Sequence, residues 1–232
     1  MTARTIAQSA VSAVSIYMRQ VYMWMTAGLA ITAVTAFAVA SSPDLQMAIL
    51  GNMVIMIALI VAQFGLVIAL SAAIHKMSAT TATAVFIAYS ALTGLTLSSI
   101  FVVYPIGSIA NAFLTATGTF LAMSVYGTVT KRDLTGMGNF LIMGLFGIII
   151  ASIVNIFLAS SMMDFAISCI GVLIFTGLTA YDTQKLRVFG MNAPVDDATA
   201  MRRGALLGAL ELYLDFINLF LMLLRLFGGN RD

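Results

Sequence analysis

Long apolar runs constrain this sequence more than any other feature. A helix crosses the bilayer core, about 30 Å thick, with about 20 apolar residues. Runs of that length lie at roughly 22–41, 47–70, 82–103, 107–127, 139–159, 163–181 and 205–227. The sequence therefore predicts an all-α membrane protein with seven transmembrane helices in one domain, 22–227. Residues 1–21 are predicted to form a segment before this domain, and 228–232 a short tail.

The composition excludes most soluble classes. Of the residues, 61% are hydrophobic and 9% charged, whereas soluble domains average about 25% charged. The lipid bilayer is therefore the expected main partner. The net charge of +2 gives no reason to expect nucleic acid. A single cysteine, Cys169, excludes a disulfide within the chain and a cysteine-based metal site. The first apolar run is too long for the core of a cleaved signal peptide, so we expect it to be the first span.

Basic residues predict the orientation. Nine of the eleven Lys and Arg residues fall before the first run or in alternate connections, at Arg4, Arg19, Lys76, Lys131, Arg132, Lys185, Arg187, Arg202 and Arg203. Because cytoplasmic loops retain positive charge, the N-terminus is predicted to be cytoplasmic. Arg225 and Arg231 depart from this pattern unless the seventh segment re-enters. The apolar run 219–227 favours a full crossing.

Two aspartates stand out within apolar sequence. Asp182 follows the sixth run, and Asp215 lies ten residues into the seventh, at a depth of roughly 15 Å. A carboxylate in hydrocarbon has to be protonated, paired or beside water. If the two meet, they share a proton and titrate as a unit, and when ionised they offer hard oxygen ligands to Ca²⁺. The structural alternative is a helix-capping Asp182 and a hydrogen-bonded Asp215.

The seventh run carries a polar face. Glu211, Asp215 and Asn218 are spaced i, i+4 and i+7, which places them on one side of a helix. A polar face avoids lipid, so the seventh helix is predicted to be central, with this face toward a cavity or toward other helices. Glu211 and Asn218 are candidate auxiliary ligands. Gly204 and Gly208 would allow close helix packing.

Other polar residues are less specific. Asn52, Gln63 and Asn155 either join helices or line a pore, and His75 is expected to be a solvated loop residue. Asp44 and Asp164 are expected to mark the outer interface. Walker A, GxGxxG, HExxH and Gly-x-Ser-x-Gly patterns are absent from the sequence, so no catalytic residue and no organic cofactor is expected.

Two C-terminal motifs resemble a known family. They read Phe-Thr-Gly-Leu-Thr-Ala-Tyr-Asp-Thr-Gln-Lys at 175–185 and Gly-Ala-Leu-Glu-Leu-Tyr-Leu-Asp-Phe-Ile-Asn-Leu-Phe at 208–220. With Tyr-Gly-x-x-Thr-Lys-Arg-Asp-Leu at 126–134 and Val-Tyr-Met-Trp-Met at 21–25, they resemble the bacterial branch of the Bax inhibitor-1 family, also called the transmembrane BAX inhibitor motif family.

The resemblance implies a fold and a function. It implies seven helices with the last one central and ringed by six, in the bacterial inner membrane. It also implies a pH-sensitive Ca²⁺ leak, with Asp182 and Asp215 as the pH-sensing pair near the cytoplasmic end of the pore. Two departures matter: residues 47–70 lack the basic residue that latches the pair in some members, and Glu211 adds a third carboxylate.

Two other function classes stay open. An interaction protein could act on membrane-protein quality control through membrane partners or proteases without transporting anything. An intramembrane aspartyl protease would also use Tyr181-Asp182 and Asp215, but Leu212-Tyr213-Leu214 stands where such enzymes carry Gly-x-Gly before the second aspartate. A pH-sensitive cation leak channel or slow transporter is therefore the leading prediction.

Overall fold

The computed structural model describes residues 3–194 and 196–228, with side chains from Ser12 onward. The regular secondary structure of this part of the chain is entirely helical, and it contains no strand. Its α-helices are α1 Ala3–Ala40, α2 Pro43–Leu50, α3 Met53–Ala73, α4 Ala79–Leu97, α5 Ile100–Val103, α6 Ile106–Val129, α7 Thr135–Leu158, α8 Ser161–Gly190 and α9 Ala198–Phe227. A 3₁₀ turn, Ile74–Lys76, extends α3.

Within the described residues, seven helical stretches are long and apolar enough to cross a membrane, which confirms the predicted class. They are Ser12–Ala40, Met53–Lys76, Ala79–Val103, Ile106–Val129, Thr135–Leu158, Ser161–Gly190 and Ala198–Phe227. Large apolar side chains on them, such as Phe157, Met53 and Phe64, are well exposed. In a bilayer this apolar exposure meets acyl chains rather than water.

The helix bounds differ from the apolar runs at several points, including the first two spans. α1 starts at Ala3, so the segment predicted at 1–21 is helical from there. The second span starts at Met53 rather than 47, because a separate helix, α2, fills the predicted connection. Ser42 caps α2, with Pro43 in its first turn. Asn52 then caps α3 by accepting hydrogen bonds from two backbone amides of its first turn.

The chain forms two compact units, and the first contains Met1–Val103 with Val188–Tyr213. In it α4 packs on both α1 and α3. α1 and α4 approach closely because Gly94 has no side chain. A Cβ at this position would lie only 2.6 Å from the Thr32 carbonyl oxygen. The first half of α9 is joined to α1 by the Tyr17 hydroxyl, which donates to the Gly204 carbonyl oxygen at 3.1 Å.

The second unit contains Tyr104–Arg187 with Leu214–Asp232. Here α8 touches three helices through glycines. Gly127 of α6 abuts the α8 backbone, Gly138 of α7 lies under the Tyr181 ring, and Gly171 of α8 faces Met222 of α9. Close packing through small residues is how membrane helices gain contact without a hydrophobic driving force. The turn of α8 around residues 180–183 is therefore held from two sides.

Burial singles out α9 among the spans. In its most apolar window 61% of residues are buried, against 6–39% in the other six. This agrees with the prediction that the polar face of the last helix avoids lipid. The ring of six helices around it stays a prediction.

Candidate functional site

Asp215 is buried in the middle of α9. Its side chain is 5% exposed, and its Oδ2 atom is shielded from solvent. Leu212 and Leu219 beside it are wholly buried, and Phe216 packs edge-on against Phe113 and Phe120 of α6. The carboxylate is thus shielded from solvent within the helix bundle.

Asp182 lies inside α8 rather than at its end. The helix continues to Gly190, two turns beyond Asp182. The interpretation of Asp182 as a helix-capping residue is therefore wrong, because the last turn of α8 is elsewhere. The Asp182 side chain is 14% exposed, and its Oδ1 lies 3.7 Å from Nζ of Lys185.

Neighbouring helices fix the turn that carries Asp182. Ala180 and Thr183 are wholly buried. A Cβ on Gly127 would lie 3.0 Å from the Ala180 carbonyl carbon and 3.1 Å from Cβ of Thr183. On the other side, the ring of Tyr181 covers Gly138. Asp182 therefore sits on a stretch of backbone with little room to shift.

Gln184 ties the α6–α7 loop to the same turn. Its Nε2 donates to the Arg132 carbonyl oxygen at 2.8 Å, and its Oε1 accepts from the Leu134 amide at 2.9 Å. In this loop, hydrogen bonds from the Thr135 hydroxyl and backbone amide hold the pKa of Asp133 below its ordinary value. Asp133 thus stays ionised through the neutral range, which makes it a poor pH sensor.

α8 and α9 pack antiparallel within the second unit. Gly171 of α8 faces Met222 of α9. In the first turn of α8, Oδ1 of Asp164 lies 3.8 Å from Nη1 of Arg225, in the last turn of α9. This ion pair gives Arg225, one of the two basic residues outside the charge pattern, a partner. Asp164, expected only to mark the interface, also takes part in helix pairing.

The candidate auxiliary ligands differ in their surroundings. Glu211 lies one turn before Asp215 on α9 and is partly exposed. Nδ2 of Asn218 donates to the Leu214 carbonyl oxygen at 2.8 Å, so that nitrogen is bound within its own helix. The described residues contain no group of three or more His, Cys, Asp or Glu side chains placed to hold one metal ion. The Asp182–Asp215 pair would therefore bind Ca²⁺ only with added carbonyl or water oxygens.

Three uncharged polar residues have structural contacts. Asn52 caps α3, and Nε2 of Gln63 donates to Thr96 Oγ1 at 3.4 Å, joining α3 to α4. Oδ1 of Asn155 accepts from the Ser160 amide at the α7–α8 connection. Gln63, which was predicted either to join helices or to line a pore, therefore joins two helices. His75 is exposed, as expected of a solvated loop residue.

Sequence reasoning missed two contacts of residues in the candidate motifs. Lys185 is three residues after Asp182, a helical spacing that brings side chains together and that could have identified the pair. The second contact, between the Tyr213 hydroxyl and Thr32 Oγ1 at 2.6 Å, is buried and joins residues far apart in sequence. No local pattern predicts such a contact.

Comparison with known proteins agrees with this architecture. A sequence model of the family described as "Inhibitor of apoptosis-promoting Bax1" matches residues 14–232. The chain is 54% identical over 215 residues to "Inner membrane protein YbhL" of Escherichia coli, covering 93% of this chain and 92% of that protein. It is 51% identical to a protein of Borreliella burgdorferi, covering 93% of each. A Deinococcus radiodurans protein is 42% identical, covering 97% and 95%.

Proposed function

This chain belongs to the Bax inhibitor-1 family of membrane proteins, and from that premise we propose that it is a pH-sensitive cation leak channel or slow transporter. Ca²⁺ is the expected ion. Asp182 and Asp215 are the ion-gating pair that senses pH, and Glu211 and Asn218 assist them. The protein acts without catalysis.

The observation that carries this proposal is the burial of Asp215. A carboxylate 5% exposed in a membrane helix costs several kcal/mol if it is ionised alone. Such residues persist where they face a partner or an ion path, so an intramembrane aspartate is itself a functional-site candidate. Asp182, on the helix that packs against α9, supplies a second carboxylate of the same unit.

Helix geometry supports a meeting of the two carboxylates. If Gly171 and Met222 are level, a rise of 1.5 Å per residue puts the Cα atoms of Asp182 and Asp215 about 6 Å apart along the antiparallel axes. Helical side chains lean toward the N-terminus of their own helix. Asp182 therefore leans toward the level of Asp215, and Asp215 toward that of Asp182.

A pair of this kind can couple ion passage to pH. Two carboxylates in a low-dielectric space do not both ionise cheaply, so they hold a shared proton until the pH rises or a cation replaces it. Lys185 adds a local positive charge 3.7 Å from Asp182. Lys185 competes with both the proton and the cation for Asp182. It is therefore a basic partner for this aspartate, although the second-span run, residues 47–70, has no Lys or Arg.

The backbone before Asp215 disfavours the protease alternative. Leu212 and Tyr213 are wholly buried, so packed side chains cover this turn. A protease has to bring an extended substrate backbone beside its aspartates, and bulky residues in place of glycines prevent that approach.

The relatives also support a location. The name of the Escherichia coli relative places that protein in the inner membrane, and we extend this location to the present chain. The basic residues favour a cytoplasmic N-terminus. α9 supports a full crossing because it is one unbroken helix from Ala198 to Phe227, whereas a re-entrant segment reverses direction.

Calcium flux in proteoliposomes tests the proposal. Purified protein is reconstituted with an enclosed Ca²⁺ indicator, and uptake is measured between about pH 6 and about pH 8 for wild type, Asp182→Asn and Asp215→Asn. Asp44→Asn is the matched control, since Asp44 is an exposed carboxylate in the first turn of α2, outside the two helices that carry the pair. We expect pH-dependent flux in wild type and control, and flux insensitive to pH in the two test variants.

Two results contradict the proposal. One is wild-type flux no greater than that of empty liposomes throughout the pH range. The other is unchanged pH dependence in both aspartate variants. In the first case, altered turnover of membrane proteins in a deletion strain would favour the interaction protein with membrane or protease partners.

A further inference from the structure

A cavity of about 520 Å³ lies within the first unit. Its walls come from α1, from the first residue of α4 and from the first turn of α9. Ala79 of α4 follows directly on the loop that contains Lys76, so the cavity lies at the loop end of these helices. The positive charge pattern assigns this end to the cytoplasmic surface.

One side of the cavity is polar and positive. Arg202 is the one charged residue among the described residues that line it, with Gln20 and Thr199 as further side-chain donors. The Arg202 guanidinium lies over the ring of Trp24, 5.8 Å from its centroid, so a lining aromatic holds it in place. The carboxylate of Asp197 accepts from the Thr199 and Ala200 amides. Recognition of an anion therefore rests on the side chains rather than on the helix terminus.

The other side is apolar and open to lipid. Ile16 and Met23, on the α1 stretch that forms the first span, are 48% and 55% exposed, while Met201 closes the floor at 4%. Trp24 is of the residue type that concentrates at membrane interfaces. A ligand that fits both sides has a negative head beside Arg202 and a hydrocarbon chain beside Met23, which lies on the membrane side of Gln20.

We propose that this cavity is a binding site for an anionic phospholipid. Its headgroup phosphate accepts hydrogen bonds from Arg202, Gln20 and the Thr199 hydroxyl, and one acyl chain runs along Met23, which lies on the membrane side of Gln20 on α1. Charge complementarity favours an anionic over a zwitterionic lipid, because the cavity contributes a positive charge without a lining carboxylate. Arg19, exposed on α1 next to Gln20, adds to the positive potential at the entrance.

The chain contains its own probe of this site. Trp24 is the single tryptophan of the sequence and lines the cavity. Bromine on an acyl chain quenches tryptophan fluorescence on contact, so quenching of Trp24 reports which lipid is bound. The full-length protein is reconstituted in phosphatidylcholine, with brominated phosphatidylglycerol or brominated phosphatidylcholine added at rising mole fractions. The ratio of the two quenching curves gives the preference within each variant.

We expect wild type to prefer phosphatidylglycerol about fivefold, because the attraction between one arginine and the net negative charge of this lipid is about 1 kcal/mol near the membrane surface, whereas phosphatidylcholine has no net charge. Arg202→Gln should abolish the preference, and Arg202→Lys should retain part of it. Arg132→Gln, the matched control, removes an exposed loop arginine outside the cavity and should leave the preference unchanged.

Three outcomes would overturn the proposal. Equal quenching by both lipids in wild type would show that no anionic lipid is selected. An equal loss in Arg132→Gln and Arg202→Gln would show a general surface-charge effect. Abolition of the preference by millimolar glycerol 3-phosphate would assign the site to a soluble phosphate ester, whereas failure of that compound to compete supports the lipid.

Discussion

Gly127 gives the sharpest test of how the Asp182 turn is held. It lies on α6, where a Cβ would be 3.0 Å from the Ala180 carbonyl carbon and closer still to its oxygen. The obstacle is α8 backbone, not the end of a flexible side chain. We therefore expect Gly127→Ala to force α6 and α8 apart beside Asp182.

The same helix offers a control with the opposite expectation. A Cβ at Gly118 would meet no atom within 4 Å. Overpacking in a tight core costs about 1–3 kcal/mol, whereas alanine in an open helical position is as stable as glycine or more stable, by up to about 1 kcal/mol. The two substitutions thus add the same methyl group to α6, but Gly127→Ala is predicted to lower the free energy of unfolding and Gly118→Ala to leave it unchanged or raise it.

Unfolding in mixed detergent micelles, followed by circular dichroism, measures both free energies. We expect Gly127→Ala to lose about 1–3 kcal/mol relative to wild type. In proteoliposomes its flux should also lose part of its pH dependence, because the Asp182 carboxylate is displaced. Equal stability of Gly127→Ala and Gly118→Ala would refute the reasoning, since it would show that α6 and α8 separate at no cost.

Three further predictions follow from single contacts. Lys185→Gln should move the pH midpoint of Ca²⁺ flux upward by less than about 1 unit, because it removes a half-exposed cation 3.7 Å from Asp182, and Lys131→Gln should leave the midpoint unchanged. Tyr213→Phe should lower the free energy of unfolding by about 0.5–1.5 kcal/mol through loss of the buried hydrogen bond to Thr32, and Tyr213→Phe in a Thr32→Val background should cost less. Gln184→Ala should speed hydrogen exchange at the Leu134 amide about tenfold, with the Thr130 amide, bonded to Tyr126, as the internal reference.

Composition and periodicity were enough to predict the membrane class and the seven spans. An apolar run of about 20 residues is stable in a bilayer as a membrane-spanning helix, because all its backbone hydrogen bonds are then made within the run. The number of such runs therefore predicts the number of spans. That Asp215 avoids lipid also followed from sequence, since Glu211, Asp215 and Asn218 form one polar face of an otherwise apolar helix. Helix ends were less predictable. Helices extend past the hydrocarbon wherever capping allows it, as α1 and α8 do.

Contacts between distant residues could not be predicted. The α6–α8 approach depends on one glycine, Gly127, among 18 in the chain, and its neighbours resemble those of Gly118 in sequence. Only the three-dimensional packing separates a glycine that admits a backbone from one that faces open space. The same holds for Thr32 and Tyr213, 181 residues apart.

Lys185 differs in one respect from a basic residue in the second span, because it lies on the same helix as Asp182 and not on a neighbouring one. A latch on a neighbouring helix breaks when the helices move apart, so its state reports the conformation of the bundle. Lys185 is on the same helix as Asp182, three residues away, so movement of α8 as a rigid body does not separate the two residues. Its attraction for Asp182 therefore changes with the charge of the carboxylate and not with helix movement. The gate we propose thus responds to protonation and cation binding first, and any helix movement follows from the change in charge.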